Sequence, residues 1–350
     1  MKILALDLGK FNSVACLYNK ASAEHEFQKI RTTPREVRAL FVATKPDLVV
    51  FETCSFAGWI HDMTGDLGIP AQVANPNHEG WRWNHVKRKT DRDDALKLAR
   101  LAAMNQLPTV YVPRRCVREW RSFIAYRHKL VARQTAIRNN IRSIFSRQGL
   151  TLPVGHRAWT AEGFRQTATE ARALEALAHD ELWRGMLDLE LRALDAVGQL
   201  LVAADVRLNA IARADERVTR LRTIPGVGPR LAEIIVATID DPKRFRNARQ
   251  VACYAGLTPK QYESGMMRRS GRISRHGPAL LRGLLVEVAW LVKRYNPWGE
   301  AVFQSIAKGQ RSRRKQAIVA LARRLLIRAW AMLRDGTSWR DPCLSTTSAT

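Results

Sequence analysis

Asp91, Asp93 and Asp94 fall within four positions of "KTDRDDALKLARL" (89–101), while the segments on either side, "HVKRK" and "KLAR", are basic. The chain as a whole carries 58 Lys+Arg against 32 Asp+Glu, a net charge of +26. Carboxylates in such surroundings either serve a helix start or hold cations. Thr90 can N-cap a helix with Asp93 at N3, an acidic version of the capping box. Asp91 is then N1 and Asp94 N4, so the two share a face and Asp93 lies off it. Two further acids end apolar strands: Asp7 in "KILALDLG" and Glu52 in "PDLVVFET". The ends of adjacent parallel strands share a rim where sites form. If the helix packs beside that rim, Asp7, Glu52, Asp91 and Asp94 converge. Like charges raise one another's pKa, so four carboxylates stay ionised together only around a cation. Hard oxygen ligands select Mg²⁺ or Mn²⁺. Two such ions about 3.5–4 Å apart clamp the attacking and leaving oxygens of a phosphodiester. The plainer alternative is that Asp91 and Asp94 are first-turn helix acids, and Asp7 a turn or phosphate-loop residue.

The second concentration is "YAGLTPKQYESGMMRRSGRISRHGPALLRGLL" (254–285). Ser264 precedes a glycine, and Arg268, Arg269, Arg272 and Arg275 follow. A serine hydroxyl attacks only when its proton is accepted or its target is polarised. No Ser-His-Asp pattern is evident, although His276 is near in sequence; clustered arginines can neutralise a phosphate in the transition state. By residue type Ser270 and Ser274 compete equally with Ser264, and a Ser/Gly loop in a basic patch is the plainer alternative. Upstream, "TIPGVGPRLAEIIVATI" (223–239) places Gly226 and Gly228 in a turn that opens an apolar helix. Such a turn aims backbone N–H groups at a phosphate and resembles a helix-hairpin-helix element. A simple helix–turn–helix packing unit fits the same pattern.

The positioning elements are expected as follows. Residues 1–113 read as α/β: three strands, helix, strand, helix, strand, helix. The early strands suggest a meander and the later alternation parallel additions. From 114 to 215 the signal is helical. Phe123, Leu130, Ile137 and Ile144 recur every seven residues, as in a coiled-coil seam. Leu182, Met186, Leu189, Ala193, Val197, Leu200, Ala204, Leu208 and Ile211 mark a second stripe. The two long helices form either a hairpin or an oligomer contact. Residues 114–150 hold ten Arg/Lys and one Glu, which suits Arg114, Arg115, Arg118, Arg121, Lys129 and Arg133 to a nucleic acid. Residues 161–216 hold six Arg/Lys and eleven Asp/Glu, as expected of a solvated or partner-facing helix. Residues 216–340 read as mostly helical with a short irregular centre, and 341–350 as a frayed tail. The segment 308–334 has nine Arg/Lys and no acid, and is expected to bind polynucleotide together with 114–150.

Composition narrows the function classes. At 350 residues with 46% hydrophobic content, two or three globular domains fit. No apolar run approaches the roughly 20 residues of a membrane span, and no signal segment is evident, so a cytoplasmic protein is expected. Cys16, Cys54, Cys116, Cys253 and Cys343 are scattered without a CxxC, which points to reduced thiols. A pI near 10.8 makes a polyanion the expected partner.

"ALDLGK", "FETCS" and "KTDRDDALKLARL" resemble the N-terminal domain of a family of bacterial insertion-sequence transposases. "IPGVGPRLAEIIVATI", "FRNARQVACYAGLTPKQYESG" and "GRISRHGPALLRGLL" resemble its C-terminal domain. The Piv DNA invertases belong to the same group. The resemblance implies a RuvC-like DEDD domain of ribonuclease H-like fold, a helical coiled-coil segment and a serine transposase domain. Carried over by position, the family's acids fall on Asp7, Glu52, Asp91 and Asp94, and its catalytic serine on Ser264. What it implies is a DNA transposase working through a serine-linked intermediate with Mg²⁺ or Mn²⁺, with the serine delivered from the other domain, of another subunit. Implied partners are donor and target DNA, a structured guide RNA that supplies sequence choice by base pairing, and further copies of the chain in a dimer or tetramer. The rival enzymatic reading is a metal-dependent junction resolvase or invertase that uses water and no covalent serine. An actin-like ATPase fits poorly because the C-terminal half is helical and basic; an inert nucleic-acid scaffold is the non-enzymatic alternative.

Overall fold

The computed structural model describes residues 1–76, 90–264 and 267–341. "HVKRK" (85–89) and all of the tail beyond Asp341 lie outside the described residues. The chain forms two compact units, Met1–Arg118 and Glu119–Thr350. The segments expected at 114–215 and 216–340 thus fall almost wholly in one unit.

The first unit begins with three strands, β1 (Lys2–Leu8), β2 (Asn12–Asn19) and β3 (His25–Arg31). There follow α1 (Pro34–Thr44), β4 (Leu48–Glu52), α2 (Ala57–Asp66), β5 (Ala71–Ala74) and α3 (Asp91–Ala103). The sheet order is β3-β2-β1-β4-β5. β1, β2 and β3 form the antiparallel meander, and β4 and β5 add in parallel. Local chemistry sets the boundaries. Thr33 caps α1 by accepting from Glu36 N, and Pro34 supplies a pre-set φ at its start. Alternate β1 residues serve opposite layers. Ile3 and Ala5, with Leu48, Val50 and Ala74, pack against Ala95, Leu98, Ala99 and Ala102 of α3. Leu4 and Leu6, with Val49 and Phe51, pack against Val37, Phe41 and Ile60 of α1 and α2.

The second unit holds most of α4 (Arg115–Arg147), which with α6 (Leu182–Ala214) forms an antiparallel hairpin. Leu130 meets Leu201 and Ala204; Ile141, Ile144 and Phe145 meet Leu187, Leu191 and Leu194. Arg127 ties the arms through both Asp205 oxygens, at 3.1 and 3.0 Å. Between them lies the short α5 (Ala161–Ala168). The stripe expected on α6 is corrected here. Leu182, Met186, Leu189 and Leu200 are 39–49% exposed, whereas Leu187, Leu191, Leu194, Leu201, Ala204, Leu208 and Ala212 are buried. α6 carries two neighbouring apolar stripes with the same three-and-four spacing, and periodicity does not say which one meets α4.

The remainder comprises α7 (Glu216–Leu221), α8 (Pro229–Ile239), α9 (Ala248–Tyr254), β6 (Pro259–Ser264) and β7 (Met267–Ile273), then α10 (Ala279–Tyr295), α11 (Pro297–Ala307) and α12 (Arg314–Asp335). α8 is buried over all of Leu231–Ile239. α12 buries Ile318, Leu321, Leu325, Leu326, Ala329 and Trp330 in the same core, so from Arg314 onward the basic segment 308–334 is a core helix with its charges on the outer side. The irregular centre expected in this region is a two-stranded antiparallel ribbon, β6 with β7. Its residues are mostly polar and Pro259, Lys260, Gln261 and Tyr262 are all exposed, so β6 carries no buried-strand signature.

Candidate active site and nucleic-acid interface

Parallel pairing of Leu6 with Phe51 puts Asp7 and Glu52 next in register at the ends of β1 and β4. Alternation from Ile3 and Ala5, and from Leu48 and Val50, places both acids on the sheet face that α3 covers. α3 starts where the sequence predicts: Thr90 Oγ1 accepts from Asp93 N at 3.3 Å, and Asp93 Oδ2 accepts from Thr90 N at 3.3 Å and from Thr90 Oγ1 at 2.6 Å. Both halves of the capping box are present. Asp93 is therefore engaged in starting the helix. Asp91 and Asp94 continue the stripe of Ala95, Leu98 and Ala102 beyond the packed part of the helix. Asp7, Glu52 and Asp94 are half-buried and Asp91 is exposed. The oxygen donors suit Mg²⁺ or Mn²⁺ in chemistry. Among the described residues no three His, Cys, Asp or Glu side chains stand close enough together to hold a metal ion. The rim thus gathers donors onto one face without forming a closed ligand cage.

Ser264 is the last residue of β6 and pairs with Met267; Glu263 pairs with Arg268, and Tyr262 with Arg269. Ser264 and Arg268 are located by this backbone register. Beside them the ribbon forms a cleft of about 830 Å³ lined by Lys260, Tyr262, Arg269, Arg272, Ser274 and Arg275. Tyr262 is 59% exposed. A Cβ on Gly271 would lie 2.8 Å from Tyr262 Cε2, so glycine lets the ring lie across the ribbon. A basic cleft with a flat exposed ring suits phosphate and base together. Lys260 and Tyr262 escaped the sequence reading; the available signal was an exposed aromatic on a polar strand close to the serine.

The other expected contacts divide. Arg114, Arg115, Lys129 and Arg133 are exposed. Arg118 is engaged within the first unit, donating to Gly58 O, Pro113 O and Asp62 Oδ2. Arg121 caps the C-terminus of α8, donating to Ala237 O at 2.6 Å and Thr238 O at 2.9 Å. Cations at a helix C-terminus complement the dipole there. Gly226 has φ +89, and a Cβ on it would sit 3.0 Å from Val292 N, so it permits close packing on α10. Gly228 is the exposed N-cap of α8.

Two titratable groups lie buried away from these sites. Burial pushes the Cys16 thiol up to about 11, which keeps it protonated and unreactive. Burial also raises the Glu233 carboxyl to about 7, against the opposing pull of Arg230. Arg230 Nη1 lies 3.0 Å from Glu233 Oε2 and 3.7 Å from Asp205 Oδ1, linking α8 to the α4–α6 hairpin.

Carboxylates on one face of the sheet rim and a basic ribbon are the kinds of group that a chain handling phosphodiesters needs. The comparisons make that class specific. A family profile described as transposase of the IS116/IS110/IS902 family matches residues 218–304, and a DEDD transposase profile of the IS110 group matches residues 4–148. The chain is 30% identical over 348 residues to a transposase for insertion sequence element IS1111A of Coxiella burnetii, spanning 97% of this chain and 92% of the relative. It is 29% identical to a probable family 20 transposase of Pseudomonas aeruginosa, over 96% of this chain and 98% of the relative. A pilin gene-inverting protein of Moraxella bovis is 25% identical over 71% of this chain and 67% of the relative. This chain belongs to the IS116/IS110/IS902 transposase family, enzymes that cut and rejoin DNA. Among the described residues no helix is long and apolar enough to cross a membrane.

Proposed function

We propose that this transposase cuts and rejoins DNA through a serine-linked intermediate, with its carboxylate rim as a RuvC-like metal site. The observation that carries this reading is the rim itself. Asp7 and Glu52 are register neighbours on the face covered by α3, and Asp91 and Asp94 continue that helix's sheet-facing stripe. Asp7, Glu52, Asp91 and Asp94 would hold Mg²⁺ or Mn²⁺. Such ions, when bound, neutralise phosphate charge and stabilise the attacking and leaving oxygens.

The protein's own residues supply the rest. Ser264 Oγ attacks the scissile phosphorus, forming one P–O bond while the bond to a deoxyribose oxygen breaks. The hydroxyl proton passes, in net, to the departing oxygen. A DNA hydroxyl later attacks the phosphoserine and restores the serine. Each exchange trades one phosphodiester for another, so no energy-rich co-reactant is needed. Arg269, Arg272 and Arg275 offset charge on the phosphate held in the ribbon cleft.

DNA as partner follows from the family. A structured guide RNA would account for a charge of +26 without an evident base-reading module. The exposed stripe of Leu182, Met186, Leu189 and Leu200 supports self-association. The test is Ser264→Ala on denaturing gels with cognate DNA. The covalent protein–DNA adduct is expected to vanish. Cutting that continues without an adduct would instead establish the water-using resolvase.

A further inference from the structure

The second unit carries another cleft, sharing no lining residue with the ribbon cleft. Trp290, Lys293, Arg294 and Tyr295 from the end of α10 line it, with Asn296, Glu300 and Arg314; its volume is about 590 Å³. A neighbouring hollow of about 470 Å³ shares Lys293 and Arg314 and adds Gln310 and Arg311. Trp290 is 42% and Tyr295 57% exposed, two large rings open to solvent within one cleft. Trp290 is braced from behind by Phe303, with centroids 6.4 Å apart. The Arg294 guanidinium lies 5.3 Å from the Tyr295 centroid, so cation and ring form one platform. The acid in the cleft, Glu300, is paired with Lys293 at 2.9 Å, which leaves Arg294, Arg311 and Arg314 to set the sign of the local field.

The cleft wall also holds an unmet polar group. Asn296 is 1% exposed. Its Oδ1 accepts from Trp298 N at 3.0 Å, while its Nδ2 donor, also buried, has no partner among the described residues. A buried unmet donor is costly, and this one belongs to the residue that joins α10 to α11 at the cleft wall.

We infer that this cleft binds an unpaired nucleotide segment, its bases stacked on Trp290 and Tyr295 and its phosphates held by Arg294, Arg311 and Arg314. Bases in a duplex are already stacked on one another, so exposed rings in a nucleotide-sized cleft select single strands. A protein partner would also use Trp, Tyr and Arg; the surrounding arginines and the chain's net charge favour a polyanion. The inference does not depend on the chemistry assigned to Ser264.

The test measures binding of the full chain to short oligo(dT), oligo(U) and a duplex of equal length. Tyr295→Ala and Trp290→Ala are each expected to weaken single-strand binding roughly tenfold, with duplex affinity kept within about twofold. Arg294→Ala is expected to lower the single-strand salt slope by about 0.7. Loss confined to oligo(U) assigns the cleft to RNA and loss confined to oligo(dT) assigns it to DNA; either supports the inference. Photocrosslinks from a thiouridine oligonucleotide are expected within 290–295. Tyr295 is exposed, so its variant carries the test even if Trp290→Ala misfolds. Unchanged single-strand affinity in Tyr295→Ala, or crosslinks confined to other segments, overturns it. So does unchanged affinity accompanied by a smaller oligomer in light scattering, which would mark a protein interface.

Discussion

The carboxylate rim of the first unit and the basic ribbon of the second are positioned by different means. The rim is fixed by layers: Asp7 and Glu52 end strands whose apolar residues are buried, and α3 is pinned by Ala95, Leu98, Ala99 and Ala102. The ribbon is a two-stranded polar pair whose Lys260, Tyr262, Arg269 and Arg272 are exposed. On the proposed function, the rim would take its precision from a core, and the ribbon its affinity from charge and an open ring, which tolerate imprecision.

Neutralising a rim carboxylate should therefore have the largest effect. Asp94→Asn is expected to reduce strand cleavage by at least roughly a hundredfold, the scale on which even supporting groups of metal sites act. Asp93→Ala, one position away, should leave cleavage within a few-fold and instead cost about 1 kcal/mol of stability through the lost capping box. Cleavage assays and denaturant melts on the two variants check this; equal cleavage defects would erase the distinction drawn within α3.

The ribbon should respond to charge and stacking. Arg269→Ala with Arg272→Ala is expected to lower the salt slope of DNA binding by up to about 2, and Tyr262→Ala to weaken single-strand binding roughly tenfold. Titrations at several salt concentrations read both. A smaller but cleaner contrast lies within α4. Arg121→Ala should cost about 2 kcal/mol through the lost bonds to Ala237 O and Thr238 O and leave the salt slope unchanged. Arg133→Ala should lower the slope by about 1 with stability unchanged within about 0.5 kcal/mol.

A further contrast, independent of both sites, lies in pH dependence. The folded chain holds a proton on Glu233 up to about pH 7, whereas an ordinary glutamate releases it near 4.5. The stability contribution of this group is therefore full below about 4.5 and lost as pH rises through about 7. Glu233→Gln should flatten the fall of Tm between those values relative to wild type. Parallel Tm profiles would show that Glu233 titrates normally.

The element order of the first unit could be read from the sequence because its strands alternate or run apolar between clear turns. The Thr90–Asp93 box, the strand-final position of Glu52 and, to within one residue, that of Asp7 were legible for the same local reasons. What escaped depended on partners distant in sequence. The buried face of α6 is chosen by α4 and by Leu150, Leu152, Trp159 and Phe164. The β6–β7 ribbon has too little buried surface to show an apolar period. Arg118 and Arg121 look like any other arginines of a basic helix until Gly58, Asp62 and the end of α8 are placed beside them. Glu233 sits in an apolar helix whose paired Arg230 reads, in sequence, as one more surface charge.

The central claim is that the rim and the serine serve one reaction. Its most direct test is a denaturing gel of the wild-type protein, purified with its co-expressed nucleic acid, after incubation with labelled cognate DNA and Mg²⁺. The account predicts a covalent protein–DNA band for wild type and none for either Ser264→Ala or Asp94→Asn. An undiminished band from Ser264→Ala would contradict it.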